Sequence, residues 1–260
     1  MNTTLKIIEF EFKDVFRSRW VILYGIFLLF SVEALYEFSG DSSKVIISVL
    51  SIILLINPLL SLVFGSLYIY YSREFIELLL SQPIRRSQLF FGLYFGMAVP
   101  LSLVFLVGAG LPLLINVSES IPVILIMLSS GILLIFMFTA VAFCISTSIV
   151  DKAKGLGAAF LIWFFFAFLF DGLLLLGISA FQDYPLEAPL IILSFLNPID
   201  LARLLVMLKL DAAALMGYTG AVFERFFGDV MGMVMSFAML LVWLLAPLTL
   251  AGWLFRKNDF

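Results

Sequence analysis

An all-α integral membrane fold is the architecture this sequence predicts: six transmembrane helices, an amphipathic elbow helix at the N-terminus, a short cytoplasmic helix and a helical extracytoplasmic cap. Three observations predict it. Of 260 residues, 63% are hydrophobic and only 13% charged, against about 25% charged in a soluble domain. Apolar runs of about 20 residues, enough to cross a bilayer at about 1.5 Å per residue, recur along the chain. The basic residues also collect in alternate short loops, as the positive-inside rule describes.

The elbow helix is placed at residues 3–19, where Leu5, Ile8, Phe12 and Val15 form one stripe and Lys6, Glu9, Lys13 and Arg17 another. That spacing suits a helix lying flat in the membrane interface, the alternative being an unoriented juxtamembrane extension. Acids and bases mix before the first span, and no small-x-small site follows before Glu33, so the segment is read as a mature N-terminus.

The spans are read as 20–38, 45–70, 88–115, 121–149, 155–178 and 230–255, with Glu33 and Glu37 making the first the weakest and Asp171 interrupting the fifth. With the N-terminus inside, the cytoplasmic segments hold Lys6, Lys13, Arg17, Arg19, Arg73, Arg85, Arg86, Lys152, Lys154, Arg256 and Lys257, out of 15 basic residues in all. Both termini are therefore expected on the cytoplasmic side. Pro58, Pro100 and Pro247 lie at mid-depth as ordinary kinks, and Gly92-x-x-x-Gly96 and Gly228-x-x-x-Gly232 permit close helix approach.

Between spans two and three, residues 71–87 contain Glu74 and Glu77 one turn apart, a run of leucines and the helix stop Pro83. An acidic face beside an apolar one makes a docking knob for another protein, since lipid headgroups would favour bases; a solvated loop is the alternative. The extracytoplasmic segment 179–229 is too long for a turn. Asn197-Pro198 reads as an N-cap with proline at the first helical position, followed by a helix to Leu210 with Asp200 and Arg203 paired. A crossing there would put Asp200, Arg203, Lys209 and Asp211 in lipid, so a cap is expected. Short helices at 212–216 and 221–227 flank a break at 217–220, and the apolar cap needs cover from membrane, a second copy or a partner.

Composition removes several function classes. A net charge of -3 and a pI near 5.0 exclude a phosphate-tracking surface, so no nucleic-acid partner is expected. There is no histidine, which removes Ser-His and Cys-His nucleophile arrangements, and the lone Cys144 allows no intrachain disulfide. No lysine precedes Ser or Thr, so there is no P-loop and any ATPase is another polypeptide. The chain is thus expected to be non-catalytic and to bind no cofactor. An intramembrane protease lacks its Gly-x-Gly-Asp motif, and a secondary carrier would place several ionisable groups at mid-membrane.

Glu33 and Asp171, about 20 and 24 Å into their spans at about 1.5 Å per residue, are candidates for a translocation pathway or for hydrogen bonds within the bundle. Met231 and Met235, one turn apart with Met239 beyond, present thioethers of a kind that binds Cu(I), but methionine is also a routine packing residue.

Two stretches carry a family resemblance. The run from Arg73 to Pro83 with Arg85-Arg86 resembles the cytoplasmic signature of ABC-2 type permeases. Leu196-Asn197-Pro198-Ile199-Asp200-Leu201-Ala202-Arg203, with Met216-Gly217-Tyr218-Thr219-Gly220-Ala221, is similar more narrowly to the permeases of Nos-type ABC transporters, which serve copper-site maturation of nitrous oxide reductase. The resemblance extends over essentially the whole chain. It implies a bacterial inner-membrane homodimer in contact with lipid, two cytoplasmic ABC ATPase subunits that bind ATP and Mg, and a periplasmic partner protein of the Nos system. It also implies roles for Arg73, Glu74, Phe75, Glu77, Leu78, Arg85 and Arg86 in ATPase coupling, and for Asn197, Pro198, Asp200, Arg203, Met216, Gly217, Tyr218 and Thr219 on the cap. The cargo implied is a sulfur species or copper, exported or delivered to the periplasm; the alternatives are mechanical work on the periplasmic partner without solute transport, or generic ABC-2 export of another cargo.

Overall fold

The computed structural model describes residues 3–39, 41–117, 120–181, 187–210, 216 and 218–257. Six helices in it are long and apolar enough to cross a membrane. In chain order the elements are α1 (Thr3–Arg17), α2 (Arg19–Ser39), α3 (Ser42–Tyr71), α4 (Arg73–Leu80), α5 (Arg86–Asn116), α6 (Ile121–Ser148), α7 (Lys152–Ala180), α8 (Glu187–Ser194), α9 (Pro198–Lys209) and α10 (Tyr218–Lys257). The spanning segments are α2, α3, α5, α6, α7 and the Val230–Lys257 part of α10.

The core of the bundle is the side-by-side pairing of α3 with α6, flanked by α5, α10 and α9. Lipid tails are as apolar as leucine, so burial does not drive this association; close packing and internal hydrogen bonds do. Gly65 faces Ala142 and Gly131 faces Phe105, both too near for a side chain to be added without displacement. Phe90, Tyr94, Phe143 and Phe255 form one buried aromatic cluster near the basic end of the bundle. The Tyr24 hydroxyl donates to Asn57 Oδ1 at 2.7 Å, the Tyr94 hydroxyl to Phe136 O at 2.9 Å and the Cys144 thiol to Pro247 O at 3.3 Å. Pro58, Pro100 and Pro247 remain inside continuous helices. Deviations occur instead at one-turn π segments, Leu106–Gly110 and Phe165–Leu169.

Three expectations need correction. The first concerns the flat elbow helix: α1 is packed lengthwise on α5, with Ile7 against Gly92 and Glu11 against Gly96, so the two helices run in the same direction. Its buried row is Ile7, Glu11 and Val15, while Leu5 is 55% exposed. The two glycines of α5 select that row, because only there does α1 approach closely. Second, the break expected at 217–220 is displaced: helix begins at Tyr218 and the chain bends at Gly228, whose φ of 65° is left-handed and favours glycine. Gly232, rather than pairing with Gly228 across a helix contact, packs on Leu208 and Phe223.

The third correction is to the cap. α9 is covered by the chain itself, with Ile199, Leu201, Ala202, Leu204, Leu205 and Val206 buried against α6 and α10. The turn leading into it is fixed inside the bundle, where Trp243 Nε1 donates to Phe195 O at 2.9 Å and Asn197 Nδ2 donates to Phe166 O at 3.0 Å. Phe166 and Trp243 each lie about 21 Å from the basic ends of their helices at about 1.5 Å per residue. α8, the turn and α9 therefore form a hairpin that re-enters the bundle. The expected helix at 212–216 lies outside the described residues apart from Met216.

Glu11 gives this packing a pH dependence. It is 1% exposed, its Oε2 has no partner among the described residues, and burial, reinforced by Asp14, pushes its carboxyl up to about 7. A raised pKa means that the packed state holds the proton better, so the seam is strongest below pH 4.5 and weakens as pH climbs through 7. Between pH 5 and pH 8 the purified chain is expected to lose about 2 kcal/mol of stability. Thermal unfolding across that range checks this, with Glu11→Gln expected to flatten the slope.

Candidate functional site at the two ends of the bundle

At the basic end the short helix α4 is held like a lever. Pro83 prevents its extension, and Ile76, fully buried, anchors one side. Phe75 stacks on Phe10 of α1 at 5.5 Å. The remaining face exposes Glu74, Glu77 and Leu78, spaced i, i+3, i+4 into one ridge, with Leu78 58% exposed. An exposed ridge with two carboxylates around a leucine has the composition of a docking surface, apolar at the centre and charged at the rim.

The basic residues assigned with that ridge divide. Arg73 donates to Val150 O at 3.3 Å and Arg86 to Arg256 O at 3.2 Å, so both tie this end together. Lys152 lies 3.6 Å above the Tyr71 ring centroid, and the Tyr70 hydroxyl donates to Ile149 O at 2.8 Å. Arg85 is exposed at the N-terminus of α5. Of the seven residues expected on this surface, Glu74, Glu77, Leu78 and Arg85 are exposed, while Phe75, Arg73 and Arg86 make contacts within the chain. Phe10 and Ile76, which fix the orientation of α4, carried no sequence signal beyond their apolar character.

The opposite end carries a connected polar network. Asn197 caps α9 by accepting from Ile199 N at 3.0 Å, with Pro198 in the first turn. Its amide donates both protons, one to Phe166 O and one to Asp200 Oδ2 at 2.8 Å. The π segment Phe165–Leu169 frees the carbonyl that receives the first. Arg203 bridges Asp200 at 3.1 Å and Asp171 of α7 at 3.2 Å. Burial first, and the neighbouring Asp171 next, push the Asp200 carboxyl above the usual carboxylate range, while Arg203 lies against both acids. Asp171, Asp200 and Arg203 border a cavity of about 130 Å³ with Ser194 and Met216.

Glu33 is engaged separately, accepting from Asn116 Nδ2 at 3.1 Å. Glu33 and Asp171 are therefore each tied to a different neighbour, and the structure does not bring them together. Met231 is exposed and Met235 half-buried on the outward side of α10, while Met233 packs toward α9. No three His, Cys, Asp or Glu side chains group among the described residues as a metal set. Gly217 and the side chains of Tyr218 and Thr219 lie outside the described residues. These groups neutralise and fix a hairpin, and no nucleophile and base stand paired among them.

Comparison with known proteins agrees with the layout. The family model described as ABC-2 family transporter protein matches residues 5–260. The chain is 31% identical, over 95% of its own length and 96% of the relative's, to the probable ABC transporter permease protein NosY of Pseudomonas aeruginosa. It is 30% identical to the protein of the same description from Stutzerimonas stutzeri, over 79% of this chain and 81% of that one. With six apolar spans and a family match over nearly its whole length, this chain belongs to the ABC-2 family of transporter proteins as a multi-pass membrane member.

Proposed function

We propose that the chain is the permease subunit of a bacterial inner-membrane ABC transporter whose ATPase is a separate polypeptide docked on α4. The observation that carries this is the exposed Glu74, Glu77 and Leu78 ridge on a helix anchored through Ile76 and Phe75. A second copy of the chain completes the complex with two ATPase subunits, which bind ATP and Mg. The basic end, where Arg73, Lys152 and Arg256 gather, faces the cytoplasm together with both termini.

In this reading ATP binding moves α4, and the stroke passes through Phe75 and Phe10 to α1 and so to α5. The outer hairpin, pinned by Asn197 and Arg203, is the element that responds. The cargo is a sulfur species or copper delivered toward nitrous oxide reductase maturation, a reading supported by the likeness to NosY proteins. ATP-dependent accumulation of copper or sulfane sulfur in vesicles holding the permease with its ATPase tests it, and accumulation of neither contradicts it.

One observation favours a second reading, in which the permease transmits force to a periplasmic partner without moving solute. Glu33 and Asp171, the acids available to line a path, are occupied by Asn116 and Arg203. ATP hydrolysis stimulated by the periplasmic partner, with no accumulation of either cargo, is the outcome expected on that reading.

A further inference from the structure

Between α2 and α3 runs an apolar groove of about 480 Å³, whose walls include Trp20, Leu23 and Phe27 on one side and Ile56, Leu60 and Leu67 on the other. Its floor is Tyr24, but that hydroxyl is turned inward to Asn57, so the groove offers no polar group along its length. From Ile56 to Leu67 is about 16 Å at about 1.5 Å per residue, close to one leaflet of a hydrocarbon core about 30 Å thick. An extended hydrocarbon chain fits along the groove.

The mouth of the groove is polar and cationic. Arg19 lies one turn before Leu23 on the same ridge of α2 and has no partner among the described residues. One turn beyond Leu67 on α3, Tyr71 is 74% exposed with the Lys152 ammonium over its ring. Trp20, 69% exposed, stands on the α2 side. The nearby Asp151 carboxylate is turned away, accepting from Lys154 N to cap α7. Tryptophan, tyrosine and two cations at the end of a one-leaflet groove match a lipid with its headgroup at the membrane surface.

We propose that this groove is a binding site for an anionic phospholipid of the leaflet at the basic end. One acyl chain fills the space between α2 and α3, and the negatively charged headgroup sits between Arg19 and Lys152. The site depends on neither the ATPase nor the cargo, so it stands or falls separately from the functional reading.

Native mass spectrometry of the purified full chain, titrated with dioleoylphosphatidylglycerol and dioleoylphosphatidylcholine, tests it. The wild type is expected to prefer phosphatidylglycerol by about tenfold at the first bound lipid. Arg19→Gln with Lys152→Gln is expected to abolish that preference. Phosphatidylglycerol carrying a diazirine on its acyl chain should label peptides of α2 and α3 around Phe27 and Leu60, and Leu60→Trp should suppress the label. Equal binding of the two lipids, or labelling spread evenly over all spans, overturns the proposal. So does chain-to-chain disulfide formation by Leu60→Cys in a Cys144→Ala background that persists when phosphatidylglycerol is saturating, which would make the groove a contact between copies.

Discussion

Reversing both carboxylates of α4, Glu74→Lys with Glu77→Lys, is expected to strip the ATPase from the purified complex while the permease still inserts and folds. Both side chains project from the exposed ridge and hold no partner within the chain among the described residues. The helix itself is held from the other side by Ile76 and by Phe75 on Phe10, so the substitutions cost the fold little, within about 0.5 kcal/mol. At a docked surface the same change turns two favourable charge contacts into like-charge repulsions worth several kcal/mol. A loss of about 100-fold in ATPase affinity follows, equivalent to about 3 kcal/mol. The readout is ATP hydrolysis retained per permease chain after purification, beside the unfolding temperature of the permease alone. Ile76→Ala makes the contrast: it leaves the acids in place, removes the anchor and lowers both quantities, with a stability cost of about 2 to 4 kcal/mol.

Asn197→Ala is expected to produce the largest stability loss at the opposite end. That one side chain caps α9, satisfies the Phe166 carbonyl and holds Asp200. Removing the cap costs about 1 kcal/mol, and leaving two buried acceptors short of a donor adds roughly 1 to 3 kcal/mol more. The total is about 3 kcal/mol, read as a lowered thermal midpoint of the purified chain. Asn197→Ser, which restores a capping oxygen but cannot reach both acceptors, should recover only about 1 kcal/mol. If serine restored full stability, capping alone would explain Asn197 and the bridge from α9 to α7 would carry no weight.

Residues 197–203 mark where sequence is sufficient and where it stops. The cap of α9 is legible because Asn-Pro before an apolar run is a local signal, and local geometry decides it. The location of α9 is not. Reading Asp200 and Arg203 as charges to be kept out of lipid places the helix outside, yet the structure buries it by supplying Asp171 from a helix about thirty residues earlier, so that Arg203 bridges two acids. Neutralisation of that kind depends on three side chains meeting, which no window of residues contains.

The N-terminal helix shows a similar limit. Helical periodicity correctly puts Lys6, Glu9, Lys13 and Arg17 on the exposed side. It cannot say which apolar row faces the bundle, because Gly92 and Gly96 of α5 make that choice and bring Glu11 inward with Ile7. The six spans were readable for the opposite reason: each must satisfy its own backbone within the membrane, so length and apolarity suffice. The π segment at Phe165–Leu169, on which the Asn197 bridge depends, left no mark in composition.

The most direct measurement is side-specific labelling of Glu77→Cys, made in a Cys144→Ala background so that one thiol is present, with a membrane-impermeant maleimide. An α4 that meets a cytoplasmic motor leaves this thiol unlabelled in intact spheroplasts and reactive in inverted vesicles, and bound ATPase subunits protect it there. Labelling in intact spheroplasts would put α4 on the far side of the membrane from any ATP, and the coupling described here would have no driving partner.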